Sequence, residues 1–173
     1  MSRGPETSFI NSVNRHLPKS VHYEKMHDEY HSGRADSWYS GAISDLWVEY
    51  KFVKIPKRAT TPIRLWKLFS DQQLRWLAER KKEGRQVVVI VGVKEGGYFH
   101  GAVFTGGAPN EDWTGQISVH DFVNKLLTSA SVCEWIRYHC EGSLGKTIEG
   151  ALRNPGPRLQ VRPGERDRHQ KTV

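Results

Sequence analysis

The sequence predicts an α/β fold with a mixed sheet, its elements running helix, three strands, helix, strand (αβββαβ), followed by further helices. Three observations carry this prediction. Phe9, Ile10, Val13 and Leu17 recur at helical spacing, "ADSWYS" and "LWVEYKFV" alternate with period two on either side of Gly41, and "QVVVIVGV" is an unbroken β-branched run. Such a run suits a strand buried on both faces, and a strand, a crossover helix and a second strand lie parallel, whereas a hairpin is antiparallel. The sheet is therefore mixed.

Each element has its own local cause. In the first helix Pro5 suits the opening turn, Glu6 stands where a carboxylate favourably meets the helix dipole, and Pro18 stops the run. "VHYEKM" reads as a short strand. In "LWVEYKFV", alternation sends Leu46, Val48, Tyr50 and Phe52 to one face and Trp47, Glu49, Lys51 and Val53 to the other, predicting one core face and one charged face. The crossover helix "LFSDQQLRWLAERKKEG" starts with Ser70 as N-cap, Gln73 closing a capping box and Phe69 with Leu74 as a hydrophobic staple; Gly84 ends it. "GGYFHGAVF" adds a strand, and "SVHDFVNKLL" and "VCEWIRYHC" add two helices across a Ser-rich joint.

Composition bounds the rest. With 173 residues and 37% hydrophobic content, the chain holds one core and too little for two, so residues 1–153 read as one domain. Residues 154–173 are rich in Pro, Gly and Arg without apolar period and read as a basic, flexible, disordered tail. Lys and Arg outnumber Asp and Glu 26 to 19, a formal charge of +7, which favours anionic partners and nucleic acid first. No apolar run reaches membrane-spanning length, and "MSRGPETSF" lacks the apolar core of a signal peptide, so the expectation is a soluble cytoplasmic protein with no membrane partner. Cys133 and Cys140 have neither zinc-site nor disulfide-framework spacing and read as reduced thiols.

The hairpin carries the chemistry. If its turn is symmetric about Ala42 and Ile43, Asp36 faces Glu49, and directly opposed residues have Cβ atoms only about 4.5–5.5 Å apart, where like charges are destabilising. Something must neutralise them. Two gathered carboxylates suit Mg²⁺, which takes one or two of them, keeps several waters and leaves room for phosphate oxygens. Lys51, on the same face as Glu49, could polarise a water or stabilise transition-state charge. Glu6 lies on the apolar stripe of its helix, and Gln73 opens the crossover helix beside the carboxyl end of the strand bearing Glu49 and Lys51, where open α/β sheets place their sites.

The order αβββαβ with Glu6, Asp36, Glu49-Tyr50-Lys51 and Gln73 resembles the PD-(D/E)XK nuclease superfamily and its restriction-endonuclease-like core. "GRADSWYSG", "LWVEYKFV" and "FSDQQLRWLAERKKEGRQVVVIV" are most similar to the VRR-NUC type and to small phage and archaeal Holliday-junction resolvases. The resemblance spans roughly the first ninety residues. It departs at Ala35, where the family often has Pro. It implies a metal-dependent endonuclease using Mg²⁺ or Mn²⁺, with Asp36 and Glu49 as ligands, Lys51 at the nucleophile or transition state, and Glu6 and Gln73 in support. It also implies DNA as partner, with RNA left open, a homodimer by analogy with resolvases of similar size, and a place in the cytoplasm, a phage-encoded protein acting in its host included.

Simpler readings stand beside these. Gln73 is explained by the capping box alone, and Glu6 by the helix dipole. His22, His27 and His31, interleaved with Glu24, Asp28 and Glu29, match no ligand spacing and read as a polar loop before a strand. "GSLGKT" fails as a phosphate loop, because Cys140 stands where the first Gly is required. Between Lys51 and Lys67, the cations Lys54, Lys57, Arg58, Arg64 and Lys67 occur with no acid and with Trp66 among them, a pattern for phosphate contact on leaving the active strand. Arg153, Arg158, Arg162, Arg166 and Arg168 add a non-specific electrostatic arm or simply solubility. The rival from another class is a nucleic-acid-binding protein that keeps this fold without cutting.

Overall fold

The structure is a computed structural model that describes residues 4–26, 33–107 and 111–142. Residues 27–32, with His27, Asp28, Glu29 and His31, and everything after Gly142, with the basic tail, lie outside the described residues.

The predicted order is present: α1 (Pro5–Asn14), β1 (His22–Lys25), β2 (Ser37–Ser40), β3 (Asp45–Phe52), α2 (Asp71–Lys82) and β5 (Val87–Glu95). Between β3 and α2 the basic segment is more than a loop, since it contains β4 (Ile63–Arg64) and a 3-10 turn, Leu65–Leu68. Its buried Ile63 and Leu65 supply the reason, and β7 (Gln116–Ile117) pairs with β4 to cover them. After β6 (Tyr98–Phe104) the first of the two expected helices is short, α3 (Val119–Asn124). Leu127 and Thr128 form β8 against β6 instead of extending that helix, and α4 (Ser129–Glu141) follows.

The main sheet has six strands in the order β1-β2-β3-β5-β6-β8. β3 and β5 run parallel and the other neighbours antiparallel, which is a mixed α/β architecture. In the β2–β3 hairpin Ser37 faces Val48 and Ser40 faces Asp45, and the same register carried one residue further puts Asp36 opposite Glu49.

Contrary to the sequence expectation, β3 does not have one core face and one charged face. Its Leu46, Val48 and Tyr50 pack with Phe9 and Val13 of α1 and Val132 and Ile136 of α4. On the opposite face Trp47 and Val53 join a second core with Leu77 of α2, Val89 and Val91 of β5, Trp113 and Phe122. The sheet is covered on both sides, as a parallel central pair requires. Glu49 and Lys51 therefore stand inside a largely apolar layer.

Two packing details aim α1 and α2 at β3. Gly92 and Gly101 face each other across β5 and β6, and a Cβ at either would overlap the Phe9 ring; the paired glycines make the dent that seats α1. Glu6 lies one turn before that anchor. For α2 the Ser70 capping box is fully formed, and the helix ends with Gly84 at φ 78°, its amide bonded to the Lys81 carbonyl while the Arg85 amide reaches the Arg80 carbonyl. That is the double hydrogen bond of a left-handed helix stop, which glycine adopts without strain.

Candidate active site

Glu49 is the centre of the arrangement. Neither face of β3 offers it water, and it is 0% exposed among side chains that are mostly apolar. One carboxylate oxygen, Oε1, lies 2.7 Å from Lys51 Nζ and accepts from Gln73 Nε2 at 2.5 Å. The other, Oε2, is buried and has no hydrogen-bond partner among the described residues. A buried acceptor left unmade costs about 1–3 kcal/mol, so this atom calls for an explanation.

Gln73 joins two tasks that the sequence left as alternatives. Its Oε1 accepts the Ser70 amide at 3.1 Å, closing the capping box, and also accepts Lys51 Nζ at 3.3 Å. With the oxygen turned to the cap and the ammonium, the amide nitrogen faces Glu49. Helix start and carboxylate are thus held by one side chain.

Asp36 stands just before β2, and its Oδ2 accepts the Tyr50 backbone amide at 2.8 Å, taking the place of a ladder bond where the hairpin pairing ends. Glu6, from the first turn of α1, reaches the same neighbourhood: it acts electrostatically on Glu49, and Asp36 and Lys51 act on it. Glu6 stands in the first turn of α1, where the helix dipole favours a carboxylate.

Three carboxyls converge on too little positive charge. Burial, then Asp36 and Glu6, push Glu49 up to about 8 against the pull of Lys51. Burial also raises Asp36, opposed by the Tyr50 amide, Lys51 and Lys25. Glu6 is raised by burial and by Asp36. A cation placed among them would relieve all three.

The donor set suits a hard divalent ion. Asp36 and Glu49 offer carboxylate oxygens, and the buried Oε2 of Glu49 is unused among the described residues. No group of three or more His, Cys, Asp or Glu among those residues is placed to hold a metal ion, so an ion here would rest on one or two carboxylates and waters, as Mg²⁺ accepts.

Two contributors escaped the sequence reading. Lys25, at the end of β1, bears on both Glu6 and Asp36 because the β1–β2 register pairs it with Ser37, next to Asp36. Phe69 lies with its ring 5.4 Å from Lys51 Nζ, and the signal for it was its place in the staple before Ser70. The loop cations Lys54, Lys57, Arg58, Arg64 and Lys67 lie along the exposed segment after β3, and Lys67 sits over the ring of the exposed Trp66. Cys133 and Cys140 are free, buried thiols of the core.

No protein-family model matches the chain, and no curated protein matches it. Among solved structures it is similar to Hjc, a Holliday junction resolvase from the archaeal hyperthermophile Archaeoglobus fulgidus, at a TM-score of 0.46 and 15% identity, over 73% of this chain and 98% of that one. No helix among the described residues is long and apolar enough to cross a membrane.

Proposed function

We propose that the chain is a divalent-metal-dependent endonuclease that hydrolyses DNA phosphodiester bonds, with branched or otherwise structured DNA as its substrate. Glu49 carries this reading: a carboxylate with no exposed surface, one oxygen gripped by Lys51 and Gln73, the other without a partner among the described residues, beside Asp36. A purely structural role does not account for it, because a well-packed apolar side chain at this point of a buried strand costs less than a half-satisfied carboxylate.

Asp36 and Glu49 would hold Mg²⁺ or Mn²⁺, and the ion, when bound, supplies Lewis-acid stabilisation of charge on the phosphoryl oxygens. The remaining work falls to the chain itself. Lys51 gives two of its three protons to Glu49 and Gln73, so one is left for a water or a non-bridging phosphate oxygen. Held there before substrate arrives, the ammonium acts on charge that develops in the transition state. Gln73 keeps Glu49 and Lys51 in register with each other. Glu6 and Lys25 tune the field at the carboxylates.

The exposed cations after β3 would hold phosphates on either side of the scissile bond, a sequence-independent contact. The preference for branched DNA rests on the sequence motifs shared with resolvases, and a homodimer would bring two such sites to two strands. The test is incubation of the purified protein with junction, flap, duplex and single-stranded DNA and with RNA, in Mg²⁺, in Mn²⁺ and in chelator. Metal-dependent cutting that favours the junction supports the proposal, and binding without cutting under every condition contradicts it.

A further inference from the structure

A concavity of about 680 Å³ lies between α1, the β5–β6 hairpin and the start of α4, apart from the carboxylate site. That size falls within the roughly 300–1,000 Å³ typical of small-ligand sites. Among the described residues that line it none is an Asp or Glu, and Arg15 is the permanent positive charge, with His16 and His100 nearby. Such a wall favours an anion.

Its floor is fixed and its rim is not committed. Ser12 Oγ lies 2.7 Å from Ser129 Oγ and donates to the Phe9 carbonyl, and Ser129 Oγ reaches the Phe99 carbonyl at 3.3 Å, so α1, β6 and α4 are tied together. By contrast, the exposed side chains of Asn11, Arg15 and His16 make no hydrogen bond or ion pair among the described residues. The hairpin turns on Gly96 and Gly97, at φ 57° and 87°, a two-residue turn that needs left-handed backbone at both positions. Directly after it stands Tyr98, 75% exposed, with Phe99 beside it carrying Lys94 at 5.5 Å from the ring. A bare aromatic ring at the rim of an acid-free cavity is a stacking platform next to a phosphate-binding group.

We infer that this cavity is a subsite for an unpaired nucleotide of the substrate strand, the base stacking on Tyr98 and the phosphate meeting Arg15 and His16. The identity of the strand rests on the nuclease reading above. The spacing agrees: Glu6 to Arg15 spans about 13.5 Å of helix at about 1.5 Å per residue, or about four nucleotide steps at about 3.4 Å each. One strand lying along α1 could thus occupy the carboxylate site and the cavity together.

The experiment compares, in chelator, the binding of a blunt duplex with that of the same duplex bearing a four-nucleotide 5′ or 3′ tail with 2-aminopurine in it. Wild type should prefer a tailed duplex and alter the 2-aminopurine emission. Tyr98→Ala should bind the tailed duplex about tenfold more weakly and the blunt one almost as before, and Tyr98→Phe should retain the preference. Arg15→Ala should make the log–log salt dependence on the tail shallower by about 0.7. Tyr98 is exposed, so these variants should fold normally. No tail preference in wild type, or a Tyr98→Ala defect equal on both substrates, overturns the inference. Cleavage in Mg²⁺ separates the two claims: a wild type that cuts while Tyr98→Ala binds tails normally discards the subsite alone. A Tyr98-dependent tail preference in a protein that never cuts keeps the subsite and discards the nuclease reading.

Discussion

Gln73 donates its amide proton to Glu49 while its carbonyl oxygen caps the helix that carries it. Because one side chain serves both, capping and site geometry can be separated by substitution. Gln73→Glu keeps a residue that closes a capping box but replaces the donor to Glu49 with an acceptor and a like charge. Protection of the first α2 amides from hydrogen exchange should stay close to wild type, and its turnover should fall at least about tenfold. Gln73→Ala should be impaired in both. Full turnover in Gln73→Glu would reduce Gln73 to a cap.

The metal-free protein should become less stable as pH rises. Glu49 is raised in the folded state from 4.5 to about 8, so between those values the folded chain binds the extra proton and the unfolded chain does not. Stability falls wherever the native state holds more protons, so this contribution is complete below the unfolded value and is lost as pH rises through the folded one. Melting curves in chelator from about pH 5 to about pH 9 should show the decline, Glu49→Gln should flatten it, and Mg²⁺ should restore stability most at the alkaline end. A profile as steep in Glu49→Gln as in wild type would assign the effect to other groups.

Lys51→Ala should bind DNA nearly as well as wild type and turn over at least about a hundredfold more slowly. One phosphate contact among many adds little affinity, whereas the same charge at the transition state acts on the rate. Removing the ammonium also leaves Glu49 more readily protonated, which a buried carboxyl tolerates better than an unpaired charge, so the fold should persist. Anisotropy titration alongside single-turnover cleavage checks both halves, and normal cutting would remove Lys51 from the mechanism.

Neutralising Lys54, Lys57 and Arg58 together should weaken binding on every sequence alike, with the log–log salt slope shallower by about 0.9 for each duplex phosphate that is no longer neutralised. These side chains lie at the surface of the segment after β3, so stability should change little. An unchanged slope would place the DNA elsewhere.

Much of the fold and of the candidate site was legible because it is local. The Ser70–Gln73 box, the β-branched run of β5 and the hairpin register that sets Asp36 against Glu49 depend on neighbouring residues and regular periods. What depended on remote partners was not. The second face of β3 reads as polar in isolation, and only the packing of Leu77, Trp113 and Phe122 against the sheet turns it into an interior. β4, β7 and β8 are two residues long each and too short to carry a period, so they are found by their pairing. Lys25 entered through a strand register, and the sequence offers no spacing that announces it.

Whether Glu49 and Asp36 serve a divalent cation in phosphodiester hydrolysis is tested most directly by paired cleavage and melting of wild type, Glu49→Gln and Asp36→Asn, with Mg²⁺ and with chelator. Both substitutions keep side-chain volume, and the amide oxygen of Asp36→Asn can still accept the Tyr50 backbone amide, so both variants should fold. Wild type should cut a four-way junction only with metal and be raised in melting temperature by it. Neither variant should cut or gain stability from Mg²⁺, and both should melt at or slightly above the metal-free wild type, because repulsion between opposed carboxylates is relieved. Variants that unfold would make the two residues structural, and variants that cut as wild type does would contradict the metal-site assignment outright.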